Sequence, residues 1–176
     1  IPNLVSRAVA SEQPAMALTD LCNLFGLIKF YKEARKKGIK AIAGSDLWVE
    51  NEHDREKPFR LLVLVMNHPG YLDLCDLLTK AWLENQYKGR GEVRREWLEN
   101  QQNLILLSGA RMGDIVQAID AGNADLAREY ANFWAEHYPN RFFIELQRAG
   151  HDGDDAYVQA ACGLAAELNL PVVATH

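Results

Sequence analysis

Short apolar runs typical of β-strands alternate with longer amphipathic segments along almost the whole chain, and this alternation constrains the fold more than any other feature. The runs are mostly continuous rather than alternating in polarity, as expected for a sheet covered by helices. Strands are predicted at 14–20, 39–49, 60–67, 104–109, 141–147 and 171–176. The alternation predicts an α/β fold built from βα units around a parallel sheet, which is either open or closed into a barrel.

Helical patterns fill the intervals between these runs. The chain opens on one, and further helices are predicted within 23–38, 71–84, 123–138 and 154–169. The second of these five patterns stops at Gly38, a residue that commonly ends a helix. Two stripes are predicted to face the core, and their members are Tyr71, Leu74, Cys75, Leu78 and Trp82 on one helix and Leu126, Tyr130, Phe133, Trp134 and His137 on another. The segment KGRG at 88–91 is predicted to be a loop.

Composition narrows the class of protein. A chain of 176 residues is long enough for one domain, and its net charge of −5 argues against a domain that coats nucleic acid through a basic face. The three cysteines are far apart and form no CxxC pair, so neither a zinc knuckle nor a disulfide framework is predicted. These features, with no apolar run long enough to span a bilayer, favour the cytoplasm and no membrane partner.

In either form of the sheet, functional groups gather where the strands end. The predicted strand ends supply Asp20, Asp46, Asn67, Ser108, Gln147 and His176. Two carboxylates and one histidine fall short of a metal hydrolase, which normally uses three or more protein ligands including imidazoles. Asp20 is therefore either a metal ligand or a cap for the next helix, and Asp46 is either a ligand or a satisfied polar group at the rim.

Other motifs have structural interpretations. HDGDD at 151–155 resembles a calcium loop but lacks the remaining ligands and the closing glutamate, so it is predicted to start a helix. The basic segment 32–37 is predicted to be a solvated helix face rather than a phosphate site. Trp82, Phe133 and Trp134 are predicted to be core residues rather than a platform for stacking bases. The sequence contains no phosphate-binding GxxxxGK or GxGxxG, no GxSxG elbow and no HExxH.

Read together, the strand ends resemble a known family. The stretch ALTDLCNLFGLIKFYKEARKKGIKAIAGSDLWV is followed by LLVLVMNHPGYLDL, LILLSGARMGDI, RFFIELQRAG and LPVVATH. In this order they resemble the PHP (polymerase and histidinol phosphatase) domain of bacterial replicative DNA polymerases, the alpha subunits of DNA polymerase III. The resemblance implies a distorted (β/α)7 barrel, of which residues 1–176 are an incomplete copy truncated at both ends. The first strand and the final ligand motif would lie outside the chain.

The same resemblance implies a degenerate metal site. Metal-binding members carry ligands at the strand ends, and the matching positions here are Asp20, Leu21, Asp46, Arg60, Ala110 and Ala149. Asp20 is retained and Asp46 replaces a glutamate, whereas Leu21, Arg60 and Ala149 stand where the family has histidines and Ala110 where it has a cysteine. These changes remove donors, and Arg60 adds a fixed positive charge. No metal and no catalytic residue are therefore expected, and Asp20 is free for capping or for a salt bridge with Arg60.

For function, the resemblance implies a non-catalytic structural module that also docks the epsilon proofreading exonuclease. Two alternatives remain open. One is a metal-dependent phosphoesterase or 3′–5′ exonuclease that works with a reduced ligand set, and the other is a domain that only braces the polymerase. No cofactor is expected in this domain. Mg²⁺ and DNA are expected to bind the parent polymerase elsewhere, and the remainder of the alpha subunit is an expected partner.

Overall fold

The computed structural model describes residues 1–175 of the chain as one mixed α/β unit. Its strands are β1 Ala15–Leu21, β2 Lys40–Val49, β3 Phe59–Val65, β4 Gln86–Tyr87, β5 Arg90–Val93, β6 Leu104–Leu107, β7 Phe142–Gln147 and β8 Val172–Thr175. Its α-helices are α1 Pro2–Ala10, α2 Leu27–Lys36, α3 His68–Glu84, α4 Asp114–Asp120, α5 Ala124–His137 and α6 Asp154–Glu167. The α/β class and all six predicted strands are confirmed. His176, which was predicted to end the last strand, lies outside the described residues.

The strands form one sheet in the order β4-β5-β2-β3-β6-β7-β8, and β1 pairs with β2. β1 runs parallel to β2, and β6, β7 and β8 run parallel to one another. β3 is antiparallel to both of its neighbours, so the predicted parallel arrangement is wrong at this strand. The reason is the connection 50–58, which contains no helix. A parallel return needs a crossover of about a dozen residues or more, whereas an antiparallel return does not.

The predicted loop at 88–91 is a β-hairpin. Lys88 and Gly89 both have positive φ, at 49° and 81°, which is the geometry of a tight two-residue turn. Arg90 and Gly91 already belong to β5, which pairs with β4 on one side and with the end of β2 on the other. The loop prediction is therefore wrong for these two residues, because the strands are too short to leave a pattern in the sequence.

Helix α3 is oriented differently from its predicted stripe. Leu74 and Leu78 are buried as predicted, but Trp82 is 38% exposed and Tyr71 and Cys75 are only half-buried. The inner face of the helix instead adds Leu77 and Ala81 to the core. Since apolar residues cover most of the circumference of α3, the sequence alone does not determine which part faces the sheet.

The buried apolar residues form two clusters. The larger surrounds the sheet and contains Trp134, which confirms its predicted core position, with Phe133 packed against it. The smaller contains Val5, Phe30 and Ile39 and joins α1 and α2 to the outer side of the first two strands. Among residues 1–175, no helix has the length and apolar character needed to cross a membrane.

Candidate functional site at the mouth of the sheet

Side chains from six strands line a single cavity of about 310 Å³, so the sheet curves around it. Apolar side chains from β1, β3 and β6 form part of its wall. Its polar lining, together with one neighbouring arginine, is called the mouth here and consists of Thr19, Asp46, Arg60, Glu145, Gln147 and Thr175. Carboxylates from two different strands, Asp46 of β2 and Glu145 of β7, line this cavity.

Asp46 is bound by Arg60 within the mouth. The Arg60 Nε donates to Asp46 Oδ1 at 2.7 Å, and its Nη2 donates to Oδ2, so the pair is bidentate. The guanidinium also lies over the Trp48 ring, 4.7 Å from its centre. Burial lowers the pKa of Arg60, but a guanidinium keeps its proton in proteins. Asp46 is therefore the satisfied rim carboxylate that was one of its two predicted roles.

The direction of β3 explains how this pair forms. Because β3 is antiparallel to β2, its first residues rather than its last reach the mouth, and Trp48 stands opposite Arg60 in the register. Asn67, expected among the functional strand ends, lies at the opposite end of the sheet. There it caps α3, and its Oδ1 accepts a hydrogen bond from the Gly70 amide at 3.0 Å.

Asp20 is not a member of the mouth. Its neighbour Thr19 lines the cavity, and successive side chains of a strand point to opposite faces of the sheet. Asp20 Oδ2 instead accepts a hydrogen bond of 2.6 Å from the Gly26 amide at the start of α2. This bond ties β1 to the residue before α2, although Asp20 is not itself the N-cap. The alternative salt bridge with Arg60 is not formed, because Arg60 binds Asp46. Leu21, which pairs with Asp46 in the register, is exposed.

Glu145 is a buried acid that was not among the predicted site residues. Its Oε1 accepts hydrogen bonds from the Thr175 hydroxyl at 2.5 Å and from Gln147 Nε2 at 3.1 Å. Burial raises the pKa of this carboxyl, and these hydrogen bonds and Arg60 offset part of the rise. The signal available in the sequence was a glutamate inside the otherwise apolar run FFIEL, a position that an unpaired acid does not tolerate.

The other expected positions lie around this group without supplying donors. Ala110 is buried and follows Gly109, whose φ of 76° and contact with the Arg60 carbonyl leave no room for a Cβ. Ser108 is buried, and its Oγ accepts a hydrogen bond from the Glu145 amide at 2.9 Å. Ala149 is exposed in the loop after β7.

The residues present do not fit a cluster of divalent metals. Within residues 1–175, no three side chains of histidine, cysteine, aspartate or glutamate are placed to hold a metal ion. Asp46 is neutralised by Arg60, Glu145 is occupied by Thr175 and Gln147, and Asp20 faces the other side of the sheet. The hydrocarbon side chains at positions 21, 110 and 149 have no lone pairs to offer a metal.

The segment HDGDD forms a helix start, as predicted. Asp154 Oδ2 accepts hydrogen bonds from the amides of Ala149, Gly150 and His151, at 2.9, 3.0 and 3.0 Å. These amides and Arg111 lower the pKa of Asp154, although burial opposes them as the largest single influence. Three amides occupy one oxygen of this carboxylate, so its role is to stabilise the loop before α6 and not to bind a calcium ion.

Comparison with known proteins assigns the chain to one protein family. The PHP domain family profile matches residues 1–149. The DNA polymerase III subunit alpha of Neisseria meningitidis is 42% identical over 100% of this chain and 16% of the relative. The same subunit of Escherichia coli is 41% identical over 98% of this chain and 15% of the relative. The chain therefore spans about one sixth of the length of the curated relatives it matches.

Among solved structures, an amidohydrolase from Chromobacterium violaceum, described with bound sulfate and no metal, superimposes with a TM-score of 0.53. The match covers 98% of this chain and 79% of that protein, at 12% sequence identity. At this identity the similarity concerns the fold alone.

Proposed function

This chain belongs to the PHP domain family, and from that premise we propose that it is the PHP module of a bacterial replicative DNA polymerase III alpha subunit. In this role it is non-catalytic. It supports the rest of the polymerase and provides a docking surface for the epsilon proofreading exonuclease. DNA synthesis and its Mg²⁺ belong to other parts of the parent polypeptide, since the mouth offers no pair of free carboxylates in a basic channel.

The bidentate pair of Arg60 and Asp46 is the observation that carries the non-catalytic part of the proposal. A divalent ion at Asp46 would have to displace a guanidinium held by two hydrogen bonds and by the face of Trp48. The arginine is a permanent cation, so it neutralises the acid without offering an open coordination position to water or to a phosphate ester. The mouth can therefore stabilise the sheet, but it lacks the parts for metal-assisted hydrolysis.

Elemental analysis and a nuclease assay test this proposal. The purified full-length polypeptide that contains this chain is expected to hold no stoichiometric zinc or manganese, and to show no chelator-sensitive cleavage of single-stranded DNA. An Asp46→Ala variant serves as the control that assigns any metal to this domain. Bound zinc or manganese and cleavage that both disappear in Asp46→Ala would establish the phosphoesterase alternative instead.

The docking role needs a separate measurement. Titration of the full-length polypeptide with the proofreading exonuclease in a calorimeter is expected to give saturable one-to-one binding. The absence of any heat, with a folded protein by circular dichroism, would reduce the role of this domain to bracing the polymerase.

A further inference from the structure

Charge is distributed very unevenly along this chain. Residues 1–40 contain seven lysines and arginines against three acids, whereas residues 41–176 contain twelve against twenty-one. The first segment therefore has a formal charge of +4 and the remainder one of −9, which together give the net charge of −5. An asymmetry of this kind is typical of a chain that presents one basic surface to a polyanion.

Most of these cations lie on helix α2, on the part of its circumference that faces away from the core. Leu27, Phe30 and Ala34 are the buried residues of the helix. The exposed cations are called the α2 basic surface here, and they are Lys29, Lys32, Arg35, Lys36 and Lys37. Lys29, Lys32 and Lys36 are three or four residues apart, so they form one stripe opposite the buried side.

The cations of this surface lack the acid partners that cations have elsewhere in residues 1–175. Ten of the twelve lysines and arginines after residue 40 lie within 4 Å of a carboxylate. The other two, Lys80 and Arg141, contact the Trp97 ring and backbone carbonyls. On the α2 basic surface, only Lys37 has such a partner, which is Glu33.

This arrangement does not help the domain to fold. Cations three or four residues apart on a helix repel one another, as in the pairs Lys29 with Lys32 and Lys32 with Lys36. No carboxylate of residues 1–175 lies within 4 Å of these three lysines to relieve the repulsion. A bound polyanion would relieve it, so the surface is better suited to binding an anionic ligand than to stabilising the fold.

The shape of the surface favours an extended ligand. From Lys29 to Lys36 the stripe is about 10 Å long, because a helix rises about 1.5 Å per residue. One strand of DNA carries a charge about every 3.4 Å along the helix axis, so the stripe can face about three phosphates. The acidic remainder of the domain does not prevent this contact, since salt screens charges beyond about 8–10 Å.

We propose that the α2 basic surface binds the phosphate backbone of DNA without sequence specificity. The inference rests on the proposed function, because DNA is the polyanion that the parent polymerase handles. The sequence pattern alone predicted a solvated helix face for residues 32–37, and the missing acid partners favour a phosphate contact instead. Lysines contribute point charges here and Arg35 can bind a phosphate through two donors, so the contact adds affinity but does not read bases.

The salt dependence of DNA binding tests the proposal. Fluorescence anisotropy of the full-length polypeptide is measured with a labelled single strand in one series and a labelled primer–template duplex in another. Each phosphate contact adds about 0.7–0.9 to the slope of log affinity against log salt concentration. The variant Lys29→Gln with Lys32→Gln and Lys36→Gln is therefore expected to lower that slope by about two to three and to weaken binding about tenfold at low salt. The series in which the slope falls identifies the form of DNA that is bound.

A second triple variant controls for net charge. Lys57→Gln with Lys88→Gln and Arg148→Gln also removes three exposed cations, but each of these has an acid partner within the domain. Its slope is expected to equal that of the natural protein. Equal reductions in the two triple variants, or no reduction in the α2 variant, would overturn the proposal. Urea unfolding checks that the α2 variant is folded, and glutamine is used because its helix propensity is close to that of lysine.

Calorimetry of the same proteins with the exonuclease separates this inference from the proposed function. If the α2 variant lowers the slope and the exonuclease binds it normally, both stand. If the slope falls but the exonuclease binds neither protein, the docking role fails and the DNA contact stands. If the slope is unchanged while exonuclease binding weakens, the surface belongs to a protein partner and the inference fails. The absence of DNA binding by every protein would overturn the assignment to a polymerase together with this inference.

Discussion

The mouth of the sheet and the apolar surface around Phe25 and Leu83 differ in how their side chains are satisfied. In the mouth, each acid has a partner within the domain: Arg60 binds the half-buried Asp46, and Thr175 donates to the buried Glu145. On the apolar surface, by contrast, Phe25 before α2 and Leu83 of α3 are largely exposed to solvent. The paired groups of the mouth therefore stabilise the domain itself, whereas Phe25 and Leu83 bury little surface within it.

Removing Arg60 should produce the largest effect. Arg60→Met leaves the Asp46 carboxylate partly buried without its cation, which should cost about 2–3 kcal/mol in the free energy of unfolding. Urea unfolding at neutral pH measures it. The double variant Asp46→Leu with Arg60→Leu should recover most of the loss, because no charge is then left unpaired.

Arg148→Met is the matched control for that substitution. Arg148 pairs with Asp155, but both side chains are largely exposed, so the change should stay within about 0.5 kcal/mol. Equal losses in Arg60→Met and Arg148→Met would mean that the ion pair in the mouth stabilises the fold no more than an exposed ion pair does.

Glu145 should make the free energy of unfolding depend on pH. Its folded-state pKa is raised above the ordinary value of 4.5 because burial disfavours the charged form. An acid with a raised pKa stabilises the fold fully below its unfolded pKa, and this contribution is lost as the pH rises through the folded pKa. Relative to Glu145→Gln, the natural protein should therefore lose stability as the pH increases from about 4 toward neutrality.

Unfolding free energies of the two proteins, measured in parallel at several pH values, check this difference. Using the difference cancels the titration of the other carboxylates. A natural protein that gains stability over Glu145→Gln as the pH rises would show that hydrogen bonding to the carboxylate outweighs its burial.

Asp20→Ala should have a moderate effect confined to stability. The substitution removes the hydrogen bond to the Gly26 amide at the start of α2, which should cost about 1 kcal/mol. Nucleotide incorporation by the full-length polypeptide should stay nearly unchanged, both in this variant and in Asp46→Ala. Loss of incorporation in a variant that remains folded would give these acids a role in catalysis.

Substitution of Phe25 should change the stability of the domain least. Phe25→Ser is expected to change the unfolding free energy of the polypeptide without a partner by no more than about 0.5 kcal/mol, because the side chain is 90% exposed. Urea unfolding of the natural protein and of the variant, measured in parallel, checks this. A clear loss without any partner would mean that Phe25 packs against the polypeptide itself.

Much of the local structure could be predicted because it depends on neighbouring residues. The end of α2 near Gly38 follows from a positive φ of 76° that glycine adopts without strain. The helix start at Asp154 depends on amides only three to five residues away. The missing donors at positions 21, 110 and 149 are also visible in the sequence, because a leucine or an alanine cannot bind a metal in any fold.

Three features depend on tertiary structure: the direction of β3, the partner of Arg60 and the outward face of α3. A strand has the same two-residue periodicity in either direction, so its pattern does not reveal that Arg60 rather than Asn67 reaches the mouth. Likewise, the apolar residues around α3 satisfy several orientations, and packing against the sheet selects one. The longer helices and strands and the lost donors follow from the sequence alone, because both are local properties. Which side chains meet depends on contacts between distant segments, and these exist only in the folded chain.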